Sequence, residues 1–319
     1  MIVLVTGGAG FIGSNLCRRL LRDSEISHVR VIDDLSTGYA ENLADLPVTL
    51  IEASILDEDE LNRAAHGCSS IVHLAAVPSV PRSIADPLRS HEANATGTLR
   101  VLEVARRNGN AHTVLASSSS VYGANATLPK MEDLQCLPMS PYAVSKLATE
   151  QYAVAYARCY GLPVLPFRFF NVFGPGQAAG HAYAAVVPAL IDAALAGRPL
   201  PIDGDGEQSR DFTYVGTVAD ILARAVVGQV TGSPTNLAFG TRTTVNELVR
   251  LLEHVVGRSL DVEHRDSRPG DVPHSQASDI RLRALFPDTV PVELGFGLNE
   301  TVEWLRNQRD SSSVSSDDR

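Results

Sequence analysis

The sequence predicts an α/β fold of the Rossmann type, in which a doubly wound parallel sheet is followed by a smaller C-terminal α/β domain. Three observations predict it: an apolar run at the start of the chain, a glycine-rich turn directly after that run, and an alternation of short apolar segments with helical patterns through the first half. We expect a first domain over residues 1–170, a smaller domain interleaved with it over residues 171–307, and a disordered, serine-rich tail over residues 308–319.

The composition is typical of a protein with a large apolar core. Of the 319 residues 44% are hydrophobic, and the formal net charge is -10, which disfavours non-specific binding to nucleic acid. The apolar run Ile2–Val5 stops at Thr6-Gly7-Gly8, far short of a signal sequence or a membrane span, so we expect no membrane association and a cytoplasmic location. The four cysteines are widely scattered, which favours reduced thiols and indicates neither a disulfide nor a metal site.

The glycine-rich turn allows a phosphate group to approach the backbone closely. Gly7, Gly10 and Gly13 lie between the first apolar strand and an amphipathic helix, and Gly8 offers a second, overlapping spacing. Glycines let the backbone come close to a pyrophosphate, and the start of the following helix presents free N–H groups and the positive end of its dipole. The pattern predicts a dinucleotide site, and the plainer interpretation is a tight turn alone.

An acidic residue follows the next strand at the position that a dinucleotide site requires. Residues 29–32 form an apolar strand that ends in Asp33, twenty residues after Gly13. A carboxylate there accepts hydrogen bonds from the hydroxyls of the adenosine ribose and repels a 2′-phosphate. The sequence therefore predicts NAD rather than NADP as the cofactor, bound by the domain of residues 1–170.

Further alternation continues the sheet across the first half of the chain. Strands are predicted at residues 48–51, 71–74 and 113–116, and helices at residues 57–65 and 90–108. Ligands of such sheets bind beyond the carboxyl ends of the strands. We therefore expect the residues after these strands to face the same crevice as the glycine turn, namely Ala75, Ala76 and the serine run Ser117–Ser120.

Tyr142 and Lys146 are the candidate catalytic pair. Their spacing on a helix puts both side chains on one face, where the ammonium group can act on the phenol. Free tyrosine titrates near ~10, so its use as a base at neutral pH needs a shift of about three units, on the order of 4 kcal/mol. A nearby cation is expected to supply that shift. The alternative is a helix with one buried tyrosine and one surface lysine.

The second half is expected to complete the sheet and then to form the smaller domain. Residues 167–171 end the sixth strand. Helices are predicted at residues 183–196, 215–227 and 244–256, because apolar positions recur there at helical spacing.

Several motifs occur in a fixed order along the chain and resemble one family. They are TGGAGFIGS, VIDDLSTG, HLAA, SVPRSIADP, SSSSVYG, SPYAVSK, RFFNVFGPGQ, DGDGEQSRDFTY and RPGDVPHSQA. The resemblance covers nearly the whole chain, to about Leu305. The sequence resembles the extended short-chain dehydrogenase/reductases and, within them, the UDP-sugar 4-epimerases.

The resemblance implies which residues hold NAD. Gly7, Gly10 and Gly13 would carry its pyrophosphate, and Asp33 and Asp34 its adenosine ribose. The other residues implied for the cofactor site are Phe11, Ile12, Thr37, Gly38, Ser54, Ile55, Leu74, Ala75, Ala76, Asn94 and Phe170, together with Tyr142 and Lys146. Many relatives have aspartate at the position of Ser54, so the expected contact with adenine is weaker here.

The resemblance also implies a UDP-hexose substrate and a transient oxidation at its C4 carbon. Tyr142 would be the base, Lys146 its electrostatic partner, and Ser118 the hydroxyl that bridges to the sugar. Loss of a hydride to NAD, rotation of the keto sugar and return of the hydride would invert C4 with no net redox change. The implied substrate residues are Arg82, Ser118, Ser119, Tyr142, Asn171, Ala185, Val186, Arg210, Arg268, Asp271 and Ser275, with Arg210 and Arg268 for the diphosphate and Asp271 for the uridine ribose.

The sequence leaves the identity of the hexose open. The resemblance places Ser275 beside the sugar, where a tyrosine would restrict the room for an N-acetyl group, and Ala185 points the same way. Uronate epimerases have threonine at the position of Asn171 and an arginine soon after the Gly-Pro motif, where this chain has residues 177–181 (QAAGH). Arg82 or neutral donors could replace that arginine. We therefore rank glucose, galactose and their N-acetyl forms above a uronic acid.

The resemblance further implies a homodimer. Its helices at residues 90–108 and 141–160 would pair with those of a second copy in a four-helix bundle. Apolar residues that could supply the contacts are Leu99, Val101, Leu102, Tyr152 and Tyr156, although one face of each helix must also cover the sheet.

Three other functions are weighed against a 4-epimerase. A lyase of the same family, such as a 4,6-dehydratase or a decarboxylase, would need acidic residues where this chain has Ser119 and Ser120. A net reductase that releases its cofactor is disfavoured by Asp33, and a non-catalytic NAD-binding protein would have no need of the Tyr142 and Lys146 pair. We therefore expect an isomerase, with a lyase as the alternative.

Overall fold

A computed structural model of the chain describes residues 1–179, 185–266 and 272–314. The strands are β1 (Ile2–Thr6), β2 (His28–Asp33), β3 (Thr49–Glu52), β4 (Ser70–His73), β5 (His112–Ser118), β6 (Val164–Phe169), β7 (Asn171–Phe173), β8 (Leu200–Asp203), β9 (Ser209–Arg210), β10 (Phe212–Tyr214), β11 (Thr235–Leu237), β12 (Thr243–Thr244) and β13 (Val262–Arg265). The helices are α1 (Phe11–Leu20), α2 (Glu58–Ala65), α3 (Val80–Ala85), α4 (Pro87–His91), α5 (Gly97–Arg107), α6 (Pro141–Tyr160), α7 (Val186–Leu195), α8 (Val215–Val227), α9 (Val245–Val256), α10 (Ile280–Leu285) and α11 (Leu294–Val314).

Seven of these strands form one parallel sheet in the order β3-β2-β1-β4-β5-β6-β11. The chain first runs outward from β1 to β3 and then returns to β4 on the other side of β1. This reversal opens a crevice above the carboxyl ends of β1 and β4, where ligands of doubly wound sheets bind. The predicted Rossmann-type α/β fold is confirmed.

The apolar run of β1 is buried on both faces of the sheet. Val3 and Val5 belong to the core that includes Leu16 of α1, whereas Leu4 belongs to the opposite core, which includes Leu61 of α2. Successive residues of a strand point to opposite faces. A strand covered by helices on both sides therefore needs an uninterrupted apolar sequence, which the start of this chain provides.

The helix α6 has clear signals at both of its ends. The Ser140 side chain caps its start by accepting a hydrogen bond from the Ala143 N–H at 3.1 Å, and Pro141 occupies the first turn. The helix ends at Gly161, whose φ of 66° lies in the left-handed region that favours glycine. These bounds place the candidate tyrosine and lysine in the first turns of α6.

The helix predicted over residues 90–108 is interrupted. α4 ends at His91, a π-helical turn occupies Glu92–Thr96, and α5 begins at Gly97. Within this turn the buried Asn94 amide donates to the Ser145 hydroxyl of α6 at 3.0 Å. Such turns often occur where a side chain must be re-aimed within a helix. Because the partner of Asn94 lies on another helix, the helical periodicity of residues 90–108 does not reveal the interruption.

The second half of the chain forms a core of its own and also returns to the first one. Ile191 of α7, Leu248 of α9 and Leu298 of α11 pack in the separate core. By contrast, Val218 of α8 and Leu237 of β11 belong to the core under α1. The assignment of residues 171–307 to a substrate domain stays a prediction.

The end of the chain differs from the prediction. α11 continues to Val314, so the expectation of a disordered tail is wrong for residues 308–314, and residues 315–319 lie outside the described part. A helix that is already formed adds one hydrogen bond for each further residue, which lets polar residues continue it. The helix predicted over residues 183–196 is described only from Val186. None of the described helices is both long enough and apolar enough to cross a membrane.

Two of the residues suggested for a dimer contact are unavailable for it. Val101 and Leu102 are fully buried in the core on the α2 side of the sheet. Tyr156 packs in the same core, and its hydroxyl donates to the Glu103 carboxylate at 2.7 Å. Tyr152 is 39% exposed. The homodimer itself stays a prediction.

A buried ion pair joins α6 to β6. The Arg168 guanidinium donates to both oxygens of the Glu150 carboxylate, at 3.0 and 2.7 Å, and the two side chains are 4% and 0% exposed. The guanidinium also donates to the Glu132 carbonyl at 3.0 Å and lies 4.8 Å from the centre of the Tyr122 ring. The pair therefore links the helix that carries Tyr142 to the turn that follows β5.

Glu150→Ala should destabilise the protein strongly, because it leaves the Arg168 guanidinium buried without its counter-charge. We expect a loss of about 3–5 kcal/mol in the free energy of unfolding, measured by chemical denaturation. The matched control is Asp279→Ala, which breaks the Arg283–Asp279 pair, with side chains 49% and 24% exposed, and should cost less than about 1 kcal/mol. Similar losses in the two variants would contradict the prediction.

Candidate active site

The turn between β1 and α1 has no room for side chains. Gly7 has a φ of 70°, in the region that favours glycine, and a Cβ on Gly13 would lie 2.3 Å from the Gly7 carbonyl oxygen. That carbonyl accepts a hydrogen bond from the Gly10 N–H at 3.2 Å. The turn therefore packs on itself and leads directly into the N-terminus of α1 at Phe11. This backbone cradle fits the pyrophosphate of a dinucleotide.

Asp33 braces the glycine turn from the end of β2. Its carboxylate accepts hydrogen bonds from the Ala9 N–H at 2.9 Å and from the Leu35 N–H at 3.0 Å. Burial raises the pKa of this carboxyl, and the two backbone donors oppose that effect. A carboxylate has about four acceptor positions, so Asp33 can also accept from a ribose diol.

A cavity of about 890 Å³ lies over the carboxyl ends of the strands. We call it the first cavity; it extends from the glycine turn to Ser118, Tyr142 and Lys146. The predicted cofactor residues that line it are Gly7, Gly10, Phe11, Ile12, Gly13, Asp33, Asp34, Thr37, Ser54, Ile55, Leu74, Ala75, Ala76, Tyr142, Lys146 and Phe170. Its volume, its apolar lining and the cradle at one end fit NAD.

Two residues predicted for the cofactor site lie behind the wall of the first cavity. Asn94 accepts from the Val77 N–H at 2.8 Å and donates to the Val77 carbonyl at 3.1 Å, so its amide supports a segment that lines the cavity. Gly38 packs on the glycine turn, where a Cβ would lie 2.8 Å from the Ala9 carbonyl carbon. Neither residue is among those that line the first cavity, and their roles in cofactor binding stay predictions.

Lys146 is tied to the end of β5 in two directions. Its Nζ donates to the Ala116 carbonyl at 2.9 Å, and its own carbonyl accepts from the Ser117 hydroxyl at 3.1 Å. The residue is 5% exposed, and this burial lowers the pKa of its ammonium group to about 8. The crossing of α6 over β5 therefore brings a cation, a phenol and the Ser118 hydroxyl to one end of the first cavity.

Burial raises the pKa of the Tyr142 phenol, and a hydrogen bond with Ser118 opposes the rise. Desolvation is the largest cause of this shift, and the expectation that Lys146 lowers the pKa of Tyr142 stays a prediction. That expectation considered the charge of the ammonium group but not the desolvation of the phenol, which favours the neutral form. In addition, the ammonium group donates to the Ala116 carbonyl.

A second cavity, of about 460 Å³, adjoins the first. The predicted substrate residues that line it are Asn171, Ala185, Val186 and Arg210, whereas Arg82 and Ser118 line the first cavity. Val172, Gln177 and Ala185 line both cavities, which therefore share a wall. An extended ligand could place a diphosphate near Arg210 and a sugar near Tyr142.

Four predicted substrate residues are not placed in these cavities. Ser119 and Ser275 line neither of them. Ser275 lies on a segment whose N–H donates to the Ser209 carbonyl at 3.0 Å. Arg268 and Asp271 lie outside the described residues. Their roles in substrate binding stay predictions.

Sequence reasoning missed Asp211, a fully buried carboxylate next to Arg210. It accepts hydrogen bonds from the N–H groups of Gly240 and Ala277, each at 3.0 Å, and from the Thr241 hydroxyl at 2.8 Å. Burial raises its pKa, and these donors oppose the rise. Asp211 thus fixes the strand that carries Arg210. Asp211 lies between β9 and β10, and no local pattern indicates its role because its partners are distant in the sequence.

A Rossmann-type sheet with a tyrosine and lysine pair in its cofactor cavity defines a short-chain dehydrogenase/reductase. Residues 3–238 match the NAD dependent epimerase/dehydratase family, and the chain belongs to this family. Its cofactor is NAD. The chain is 38% identical over 314 residues to the UDP-glucose 4-epimerase of Mycolicibacterium smegmatis, and the match covers 97% of this chain and 99% of that one.

Solved structures of the same kind are also similar. The UDP-N-acetylglucosamine 4-epimerase of Methanobrevibacter ruminantium, solved with UDP-N-acetylmuramic acid, is 38% identical, with a TM-score of 0.90 over 96% of this chain and 98% of that one. The UDP-glucuronic acid 4-epimerase of Bacillus cereus, solved with UDP-glucuronic acid and NAD, is 30% identical, with a TM-score of 0.86 over 97% and 100%. These names differ in the hexose, so family membership leaves the sugar open.

Lys146→Met should stabilise the protein at neutral pH although it removes a functional group. Burial lowers the pKa of Lys146 from 10.5 to about 8, so the charged ammonium group costs free energy that unfolding relieves. We expect a gain of about 1–3 kcal/mol in the free energy of unfolding, limited because the Ala116 carbonyl loses its donor.

The difference in the free energy of unfolding between Lys146→Met and the wild-type protein should depend on pH if the buried charge is its cause. The stability of the wild-type protein should gain from this group as the pH rises from about 8 toward 10.5, because the unfolded chain binds more protons in that range. The variant lacks that gain, so its advantage should shrink with pH. Denaturation curves at neutral and alkaline pH measure both values, and a constant difference would rule out the buried charge as the cause.

Proposed function

We propose that the protein catalyses the NAD-dependent 4-epimerisation of a UDP-hexose, with Tyr142 as the base. The observation that carries the proposal is the convergence of Ser118, Tyr142 and Lys146 at one end of a cavity that fits NAD and adjoins a second cavity lined by Arg210. The 4-epimerase names of the three relatives described above support the same reaction.

The protein groups divide the proton transfer between them. The ammonium group of Lys146 stabilises the Tyr142 phenolate, and this phenolate accepts the proton of the C4 hydroxyl, directly or through Ser118, to become a neutral phenol. NAD, when bound, supplies the acceptor for the C4 hydride and later the donor that returns it. Proton and hydride both return, so the reaction has no net redox change, and return to the opposite face of the sugar inverts C4.

A neutral or N-acetylated hexose suits the shared wall better than a uronic acid. Gln177 donates one of its two Nε2 hydrogens to the Val172 carbonyl at 3.2 Å, and its buried oxygen has no hydrogen-bond partner among the described residues. An acceptor there favours a hydroxyl or an amide N–H over a carboxylate. Ala185, on the same wall, leaves room that a larger side chain would occupy. Asn171 in place of threonine supports the same ranking.

A lyase reaction is disfavoured by the turn after β5. Ser119 and Ser120 follow Ser118 and present hydroxyl groups where elimination would need an acid. A keto sugar formed at this place therefore lacks a carboxylate partner on that turn.

Incubation with a panel of UDP-sugars, with products resolved by NMR, tests the proposal. The wild-type protein should interconvert the C4 epimers of at least one UDP-hexose without added NAD, because a cofactor that left in mid-reaction would leave the keto sugar behind. Denaturation of the protein should release the retained nicotinamide. A dehydrated or decarboxylated product would favour a lyase instead.

Tyr142→Phe is the matched control in that experiment. It removes one hydroxyl and little volume, so the variant should retain NAD and lose most of its turnover, by roughly 10²–10⁴-fold for a general base. Turnover close to that of the wild type would contradict the role of Tyr142.

Ala185→Tyr should depress turnover of an N-acetylated UDP-hexose more than that of its unacetylated counterpart. A ring at this position would take room from the sugar in both cavities. The ratio of kcat/KM for the two substrates should fall about tenfold. Ser275→Tyr is the comparison, because the resemblance places Ser275 beside the sugar although this residue lines neither cavity. The reverse outcome would place Ser275, and not Ala185, beside the sugar.

A further inference from the structure

The Ser118 hydroxyl has one proton and two groups that can accept it. Its Oγ accepts a hydrogen bond from the Ser120 N–H at 3.2 Å and donates to the Ser120 hydroxyl at 3.1 Å. It also lies near the Tyr142 phenol, whose pKa it lowers by hydrogen bonding. A serine hydroxyl offers one donor and two acceptor positions. Its single proton can therefore be donated either to Ser120 or to Tyr142, and not to both.

The direction of this proton decides which state of Tyr142 is favoured. When Ser118 donates to Tyr142, the hydrogen bond stabilises the phenolate. When Ser118 donates to Ser120, the phenol must itself be the donor, and a phenolate would face an oxygen without a proton. The Ser120 hydroxyl therefore competes with Tyr142 for a single proton.

We propose that Ser120 is a positioning residue that orients the Ser118 hydroxyl and thereby sets how readily Tyr142 gives up its proton. The inference rests on the proposed function only in assigning Ser118 and Tyr142 to the reaction. The plainer interpretation is that Ser118 caps the short helical turn Ser119–Tyr122. That cap uses the backbone N–H of Ser120 and not its hydroxyl, so removal of the hydroxyl separates the two roles.

The charged and titratable groups around Tyr142 are the same in such a variant. They are Lys146 on α6, His73 on β4, whose pKa burial lowers to about 3, and Arg82, Arg89 and Glu92 on the lining of the first cavity. The Ser120 hydroxyl is hydrogen-bonded to Ser118. A change in the titration of Tyr142 in Ser120→Ala is therefore attributable to the Ser118 proton.

An NMR titration of ring-labelled tyrosine tests the proposal. The Tyr142 signal is assigned by its loss in Tyr142→Phe. In Ser120→Ala the midpoint of the Tyr142 transition should fall by roughly 0.5–1 pH unit, the effect of one hydrogen bond returned to the phenolate. Ser120→Thr restores a hydroxyl and should keep the wild-type midpoint. Ser69→Ala, which removes a remote exposed hydroxyl that donates to the Ile2 carbonyl, should also keep it.

An unchanged midpoint in Ser120→Ala would overturn the proposal, and so would a Thr variant that shifts as far as the Ala variant. If Ser120→Ala unfolds before the transition, Ser120→Cys takes its place, since a thiol is a weak acceptor and should shift the midpoint in the same direction. The titration uses no sugar, so its outcome does not depend on the epimerase assignment. If the assignment holds, the acid limb of kcat/KM should move to lower pH in parallel.

Discussion

The active end of the first cavity depends on how α6 crosses the end of β5. Lys146 donates through its Nζ to the Ala116 carbonyl and accepts through its own carbonyl from the Ser117 hydroxyl. Ser118 is the next residue on the strand, and Tyr142 lies one turn earlier on the helix. These two hydrogen bonds therefore fix the distance between the hydroxyl and the phenol. Without the crossing, both elements could form correctly and the three groups would still not meet.

This arrangement has a cost in stability that other parts of the fold offset. The chain contains two lysines, Lys130 and Lys146, and both are buried with lowered pKa values. A lysine suits the place beside Tyr142 because its pKa responds to burial, whereas arginine stays charged throughout. The buried Arg168–Glu150 pair lies one turn further along α6, where it holds the same helix to β6. Functional sites commonly reduce stability in this way.

Local chemistry explains what could be predicted from the sequence. The glycine turn, Asp33 at a strand end and the bounds of α6 depend on turn residues, periodicity and caps within a few residues, so the sequence shows them directly. Asn94 differs because the same residue type can bind a ligand or support a wall, and its hydrogen bonds with Val77, which is 17 residues away, are not evident from the sequence. Asp211 depends on Thr241 and Ala277, which are 30 and 66 residues away. The pKa of Tyr142 depends on its burial, which cannot be predicted from the sequence motif alone.

The groups at the end of β5 also limit which reaction a keto sugar can undergo under the proposed function. Serine hydroxyls follow the strand there, and the carboxylates among the described residues that line the first cavity, Asp33, Asp34 and Glu92, belong to other elements. Removal of a proton at C5 needs a base that is ionised near neutral pH, and a serine hydroxyl is not. Return of the hydride is then the reaction that these groups favour. A turn of hydroxyl groups therefore favours epimerisation over elimination, because it transfers and orients protons without supplying a second base.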